Sequence, residues 1–350
     1  MSHDSEPSPD LVRYARQMRY APIGEEGQRR LAASRALICG CGALGSVIAN
    51  TLARSGVGYL RIVDRDFLEL NNLQRQVLFD EADVAAGLPK AVAAAEKLRR
   101  INSNVTIEPV VTDVDHTNAL ELVDSIDVIL DGTDNFETRM LLNDVSHSRK
   151  IPWIYGGCLG AEGQTMTILP GETACLRCLM NDTPPAGTTP TCDTAGILAP
   201  IVNIIASLQA NEAIKVLSGN RSAVSRQLTI VDVWDNRVRQ VSLDALRADG
   251  GCPACNEGDF PWLAGRRASH SAVLCGRNAV QLSPSDRSAL SLDRLAEKLA
   301  SVGRVTQNRY LVRAAVDDYV VTIFADGRAI ISGTDDIATA RTVYAKYIGT

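Results

Sequence analysis

Two kinds of apolar segment alternate along the first half of the chain. Short runs of aliphatic and β-branched residues predict strands, and longer segments with apolar residues on one helical face predict helices between them. The predicted strands are 36–39, 60–64, 105–111, 127–131 and 153–155, and the predicted helices lie near 42–54, 90–101, 117–123 and 136–149. This alternation predicts an α/β fold with a parallel, doubly wound sheet, whose ligands bind at the carboxyl ends of the strands.

The pattern changes after residue 163. A strand at 164–170, a long apolar helix at 199–217 and strands at 228–233 and 238–243 predict a mixed-sheet extension of the first sheet. A linker at 256–270 then leads to residues 271–350, whose order of strand, helix, strand, strand and helix predicts a small C-terminal α/β (βαββα) domain. Residues 1–10 are polar and contain prolines, so we expect a disordered lead there.

Charge and hydropathy narrow the class of protein. The formal net charge is -5, which argues against broad binding of nucleic acid or of an anionic membrane. Polar residues, among them Asn203, Glu212 and Lys215, interrupt the apolar helix, which favours a buried helix over a membrane span. Because the N-terminus lacks the pattern of a signal peptide, we expect a cytoplasmic protein.

A glycine-rich loop follows the first predicted strand. Gly40, Gly42 and Gly45 have GxGxxG spacing and lead into a helix, and Asp64 ends the next strand. Glycine lets the backbone approach a phosphate, the helix N-terminus offers unpaired N–H groups, and the carboxylate can bind ribose hydroxyls. The loop alone does not distinguish NAD, FAD and ATP, and a role in packing only stays open.

Two cations favour a triphosphate over a dinucleotide. Arg75 lies in "NNLQRQ", and Lys90 begins a helix after "GLP". A lysine at a helix start is unfavourable for the helix dipole, which indicates an anion nearby. ATP needs several cations and usually Mg²⁺. A solvated surface amine is the alternative for Lys90.

Two carboxylates follow the fourth predicted strand, in "DGTDN". Asp131 and Asp134 lie at a carboxyl end of the sheet, and Asp134 is a plausible Mg²⁺ ligand. The alternative is that Asp134 or Asn135 caps the following helix.

The chain has nine cysteines. Two C-x₂-C pairs suit one tetrahedral structural zinc site that joins remote segments: Cys175 with Cys178, and Cys252 with Cys255. Two redox pairs are the alternative, but neither pair is expected to open a helix directly after a strand. Cys192 lies in a Thr- and Pro-rich loop and has no evident zinc partner, whereas Cys39, Cys41 and Cys158 are expected to pack.

Eight motifs together resemble a known family. "RYARQ", "GCGALG", "NNLQRQ", "GLPK", "DGTDN", "CLRC", "CDTAG" and "CPAC" occur in this order and resemble the ThiF/MoeB/HesA adenylyltransferases, relatives of the ubiquitin-activating enzymes. The resemblance covers about residues 11–255, which would form the adenylation domain with its zinc site. It implies that MgATP adenylates the C-terminal glycine carboxylate of a small ubiquitin-like sulfur-carrier protein ending in Gly-Gly.

The resemblance also implies roles for single residues. Arg16 of "RYARQ" would reach the phosphates from a second subunit, which implies a homodimer, and Cys192 is hypothesised to form a covalent link to the carrier. The other roles carried over are Gly40, Gly42 and Gly45 at the nucleotide, Asp64 at the ribose, Asn72, Arg75 and Lys90 at the phosphates, and Asp134 at Mg²⁺.

Several functional questions stay open on the sequence alone. The chemistry needs no general base, because the attacking carboxylate is already ionised, and this suits a chain with four histidines. The tail is too short for a rhodanese domain, so sulfur would come from a separate donor such as a cysteine desulfurase or a rhodanese. An NAD-dependent oxidoreductase and a non-catalytic scaffold for a ubiquitin-like protein are the alternatives.

Overall fold

The structure, a computed structural model, describes residues 11–180, 182–183, 192–248, 250–267, 271–274, 278–282 and 290–349. The side chains of residues 192, 193 and 271–274 and the whole of the predicted lead, 1–10, lie outside this description. The chain divides into two compact units. The N-terminal unit comprises residues 1–184 and 197–267, and the C-terminal unit comprises 185–196 and 268–350.

Eight strands form the sheet of the N-terminal unit. They are β1 (Arg35–Cys39), β2 (Tyr59–Val63), β3 (Thr106–Val110), β4 (Val128–Asp131), β5 (Trp153–Leu159), β6 (Glu162–Ile168), β7 (Gln227–Asp232) and β8 (Arg237–Ser242). Their order in the sheet is β3-β2-β1-β4-β5-β6-β7-β8. Strands β3 to β5 pair in parallel and β5 to β8 pair antiparallel, so the predicted doubly wound sheet with a mixed extension is confirmed.

Helices cover both faces of this sheet. The helices of the first part of this unit are α1 (Ala15–Met18), α2 (Gly24–Ala33), α3 (Ala43–Ser55), α4 (Glu81–Ala85), α5 (Lys90–Ile101), α6 (Ala119–Leu122), α7 (Phe136–Arg149) and α8 (Leu176–Leu179). Then follow α9 (Cys192–Ala195), which falls in the C-terminal unit, α10 (Ala199–Leu217) and α11 (Asp244–Ala248). One apolar core lies under α3, α5 and α10, and a second lies under α6, α7 and α8.

Strand β8 is the outer edge of the sheet. It pairs with β7, and all six of its residues are exposed, including Arg237, Val238 and Arg239. The long helix α10 packs against the sheet, as its apolar composition predicts. Within the described ranges, no helix combines the length and apolar character that a membrane crossing needs.

Residues 256–267, which the sequence suggested as part of a linker, pack into the N-terminal unit. Trp262 is buried in the second core. The Asp144 carboxylate on α7 accepts hydrogen bonds from the backbone N–H groups of Trp262 and Leu263, at 3.0 and 3.3 Å. An aromatic anchor in a polar segment has no periodic pattern, which is why the sequence placed the linker too early.

Within residues 271–349, the described part of the C-terminal unit is a six-stranded antiparallel sheet with two helices. Its strands are β9 (Ser271–Leu274), β10 (Ala279–Leu282), β11 (Arg304–Gln307), β12 (Leu311–Val316), β13 (Tyr319–Phe324) and β14 (Ala329–Ser332), and its helices are α12 (Leu292–Ala300) and α13 (Ile337–Tyr347). The strand order is β11-β12-β13-β14-β10-β9. The small α/β unit is confirmed, but the order βαββα is corrected to ββαββββα.

One short hairpin explains why β12 and β13 were not separated in the sequence. Strands β12 and β13 are joined by a two-residue turn at Asp317 and Asp318, where Asp317 has a φ of +47°. Without an Asn-Gly or Asp-Gly pair to mark this turn, the two strands read as one apolar run.

The buried Asp144 carboxylate makes stability depend on pH. Burial raises the pKa of Asp144 to about 6, against about 3.9 in an unfolded chain, so the folded state holds its proton more tightly. The cost of burying the charge is full above about pH 6 and disappears as the pH falls toward about 4. Relative to Asp144→Asn, the wild type should therefore gain about 2 kcal/mol of unfolding free energy between about pH 7.5 and 4.5.

Urea unfolding of both proteins across this pH range measures the gain. The control is Asp124→Asn, which replaces an exposed carboxylate. Its unfolding free energy should change with pH as that of the wild type does. A constant difference between wild type and Asp144→Asn at all pH values would contradict the prediction.

Candidate functional site

The topology places a crevice between the carboxyl ends of β1 and β4, as expected for a doubly wound sheet. These neighbouring strands lead into α3 and α7, which cover opposite faces of the sheet, so the crevice lies where the strand order reverses. The two loops touch: a Cβ on Gly40 would lie 2.7 Å from the carbonyl oxygen of Gly132, and Gly40 has a φ of +85°. Only glycine fits this contact.

The three glycines of the loop differ in what surrounds them. A Cβ on Gly45 would lie 1.9 Å from the Gly40 carbonyl oxygen, so Gly45 lets α3 pack on its own loop. A Cβ on Gly42 would meet only the Nε2 of Gln76, at 3.8 Å. Gly42 precedes α3, and no side chain caps that helix. Gly40 and Gly45 therefore serve packing, whereas Gly42 presents an open helix N-terminus.

Asp64 ties the second strand to the glycine loop. Its carboxylate accepts hydrogen bonds from the backbone N–H of Cys41 at 2.6 Å and of Asp66 at 2.7 Å. Burial raises the pKa of Asp64, and the positive charge of Lys90 opposes this. Asp64 thus lies beside Gly42. If the loop holds a phosphate of a nucleotide, the ribose of that nucleotide would lie near Asp64.

Lys90 is buried, so it is not the solvated surface amine of the alternative. Its Nζ lies 3.1 Å from Oδ2 of Asp66, and its side chain is 5% exposed. The sequence correctly indicated an anion near this helix start, but it missed that Asp66 supplies one. Lys90 and Asp64 are also close enough to shift the pKa of the Asp64 carboxyl.

The "NNLQRQ" segment lies against the glycine loop. Asn72 is buried and accepts a hydrogen bond from the Glu69 backbone N–H at 3.1 Å. Arg75 is half-buried, and its Nη1 donates to the Asn71 carbonyl at 3.0 Å. Gln76, which the sequence did not single out, is buried beside Gly42, and its Oε1 has no hydrogen-bond partner in the described part of the chain.

The two aspartates of "DGTDN" have different surroundings. Asp131 is fully buried, 3.5 Å from the guanidinium of Arg139. Burial raises the pKa of Asp131, and Arg139 opposes this. Asn135 caps α7 through the backbone N–H groups of Glu137 and Thr138. Asp134 is exposed, and its carboxylate accepts no hydrogen bond from the residues described, so the capping alternative does not apply to it.

Arg16 lies away from the crevice of its own chain. It is exposed on α1, and the neighbouring Gln17 donates to the Ser55 carbonyl at the far end of α3. Since α3 has 13 residues, that end lies about 20 Å from Gly42.

The four cysteines of the two C-x₂-C pairs converge. The Sγ atoms of Cys175 and Cys252 lie 3.6 Å apart, as do those of Cys178 and Cys255, and all four lie within 4.8 Å of one another. Zn–S bonds of about 2.3 Å in a tetrahedron place sulfurs about 3.8 Å apart. The cluster is therefore compatible with zinc in distance and in ligand type.

The surroundings of the cluster agree with the expectation for the two pairs. Each pair begins a short helix, α8 after Cys175 and a π-helical turn at Pro253–Glu257 after Cys252, but neither helix directly follows a strand, since β6 ends at Ile168 and β8 at Ser242. Convergence across the pairs also favours one metal site over two redox pairs. Hydrogen bonding to Cys175 lowers the pKa of Cys178, and hydrogen bonding with Cys178 raises the pKa of Cys175, so the cluster favours a thiolate.

The remaining cysteines divide into two groups. Cys39 and Cys41 are buried, as expected, and burial raises the pKa of both thiols. Cys158 is only half-buried and lies 3.9 Å from the Ile201 carbonyl. The side chain of Cys192 lies outside the described residues, so its predicted covalent role stays a prediction.

Comparison with known proteins gives close relatives. The sulfur carrier protein ThiS adenylyltransferase of Bacillus subtilis is 44% identical over 338 residues, which is 96% of this chain and 99% of that protein. The SAMP-activating enzyme E1 of Haloferax volcanii is 41% identical over 248 residues, 71% of this chain and 90% of that protein.

A solved structure shows the same fold. The crystal structure of E. coli MccB with MccA-N7isoASN has a TM-score of 0.59 at 24% identity, covering 66% of this chain and 72% of that chain. A model of the ThiF family matches residues 14–254. The chain belongs to the ThiF family.

Proposed function

We propose that the protein adenylates the C-terminal glycine carboxylate of a small ubiquitin-like sulfur-carrier protein, using ATP. The observation that carries this is the 44% identity to the B. subtilis ThiS adenylyltransferase over 99% of that enzyme's length. The crevice supports it, because an open helix N-terminus at Gly42, Asp64 and Lys90 lie together at the carboxyl edge of the sheet.

The reaction is a displacement at phosphorus. A carboxylate oxygen of the carrier attacks the α-phosphorus of ATP, the bond between this phosphorus and the α,β-bridging oxygen breaks, and pyrophosphate leaves with the electron pair. Gly42 and Asp64 would hold the nucleotide, and Asn72, Arg75 and Lys90 would contact the phosphates. When bound, Mg²⁺ at Asp134 would offset the charge that builds up on pyrophosphate.

The cations of one chain do not neutralise the charge of a bound triphosphate. Lys90 already pairs with Asp66, and Asp64 adds a negative charge beside it. A triphosphate would bring about four further negative charges. Arg65 and Arg139 also pair with carboxylates, those of Asp113 and Asp131. Arg75 and the N-terminus of α3 cannot offset the triphosphate alone, which supports both a Mg²⁺ ion and a cation from a second subunit.

Exchange of pyrophosphate into ATP, measured with and without carrier, tests the function and the Mg²⁺ ligand together. We expect exchange only when a Gly-Gly-ending carrier is present. Because no described residue donates a hydrogen bond to the exposed Asp134 carboxylate, Asp134→Asn should lower exchange by about 100-fold with little change in melting temperature.

The matched control is Asp124→Asn, an exposed aspartate before β4 rather than after it. It should exchange like the wild type. Tight NADH binding without measurable binding of MgATP would instead favour the oxidoreductase, and carrier binding without exchange would favour the scaffold.

Arg16 is proposed to act in a homodimer, reaching the crevice of the second subunit. A mixture of Arg16→Ala and Asp134→Asn chains tests this, because each heterodimer would contain one intact site. Random mixing should restore about a quarter of wild-type exchange, whereas either variant alone stays inactive. If Arg16 acted on the crevice of its own chain, mixing the two variants would restore no exchange.

The four converging cysteines are proposed to bind one structural zinc ion per chain. The ion would join α8 to the turn at Pro253–Glu257 and so fix two remote segments. Metal analysis should give one zinc per wild-type chain and none for Cys178→Ser, and chelation should lower the melting temperature of the wild type alone. Full zinc content in Cys178→Ser would contradict the four-cysteine site.

The steps after adenylation are proposed from the sequence alone. A separate cysteine desulfurase or rhodanese would supply sulfur, and Cys192 would form the covalent link to the carrier. The C-terminal unit is proposed to aid carrier recruitment or dimer stability, and the cytoplasm stays the expected location.

A further inference from the structure

A buried arginine holds the loop that carries Asp134. Arg139 lies in the first turn of α7 and is 7% exposed. Its Nη2 donates to the carbonyl oxygens of Thr133 at 2.7 Å and of Gly156 at 3.2 Å. One nitrogen therefore joins the residue before Asp134 to strand β5.

Neighbouring groups fix the plane of this guanidinium. Its Nε lies 3.5 Å from Oδ2 of Asp131, and its Cζ lies 5.3 Å from the centre of the Phe136 ring and 5.4 Å from that of Tyr155. A planar guanidinium can bond several acceptors in fixed directions, which the single ammonium of lysine cannot reproduce.

Asp134 has no comparable set of hydrogen bonds. Its side chain is exposed, and the described residues donate no hydrogen bond to its carboxylate, although its charge interacts with the charges of Arg65 and Arg139. Its position therefore follows from the backbone on either side, which Arg139 holds through Thr133 and which Asn135 holds by capping α7. A metal ligand has to be placed within about 0.5 Å of its working position.

We propose that Arg139 is a positioning residue that fixes the backbone of residues 133–135, so that the Asp134 carboxylate can bind the Mg²⁺ of the nucleotide. The inference rests on the proposed function, because it requires MgATP in the crevice. It concerns the coupling between metal and nucleotide, and Arg139 itself need not touch either.

Calorimetry without carrier measures this coupling as the ratio of the ATP dissociation constants in EDTA and in saturating Mg²⁺. Arg139→Lys should lower the ratio about tenfold and leave the metal-free constant unchanged. A purely structural role would lower the melting temperature without selective loss of the Mg²⁺ effect.

Two further variants keep the test decisive. If Arg139→Lys fails to fold, the double variant Arg139→Met with Asp131→Asn removes both buried charges together and should lose the same coupling. Arg61→Lys is the matched control: Arg61 also pairs with a carboxylate, Glu108 at 2.7 Å, and donates to a carbonyl, that of Leu122 at 2.8 Å. It should retain the wild-type ratio.

The outcomes separate this inference from the proposed function. An unchanged ratio in Arg139→Lys, with the ratio lost in Asp134→Asn, overturns the role of Arg139 alone. An unchanged ratio in Asp134→Asn overturns the metal assignment, and the inference with it. No binding of ATP by the wild type overturns the proposed function itself.

Discussion

The close approach of two backbones, at Gly40 after β1 and Gly132 after β4, is the constraint on which the site depends. A Cβ on either glycine would lie within 2.7 Å of the carbonyl oxygen of the other. Because the loops touch, the start of α3 and the residues before α7 face one crevice from its two sides. Asp134 follows Gly132 by two residues, and Asp64 is tied to this contact by accepting a hydrogen bond from the Cys41 N–H next to Gly40. Lys90 joins the same side through its ion pair with Asp66.

Much of the site was predictable because its signals are local. The spacing of Gly40, Gly42 and Gly45 between a strand and a helix reports backbone requirements that few other structures share. The unfavourable lysine at the start of α5 indicated an anion by electrostatics alone. Each inference used residues within one turn or one loop, where sequence distance and spatial distance agree.

The missed features depend on contacts between distant segments. Asp66 meets Lys90 across 24 residues, and Arg139 acts through carbonyl groups of Thr133 and Gly156, which carry no side-chain signal. The strands of the C-terminal unit were undercounted because four to six residues per strand leave little room for periodicity. The two cysteine pairs were the exception, since thiol pairs remain recognisable across 77 residues.

The open edge of the large sheet has its own consequence. Strand β8 pairs on one side with β7 and exposes every side chain, including Arg237 and Arg239. Like charges on a free strand repel a second identical strand, so copies of this chain are discouraged from joining edge to edge into a longer ribbon. The same arginines leave the edge attractive to a strand of opposite charge, so protection from aggregation does not close this surface to other proteins.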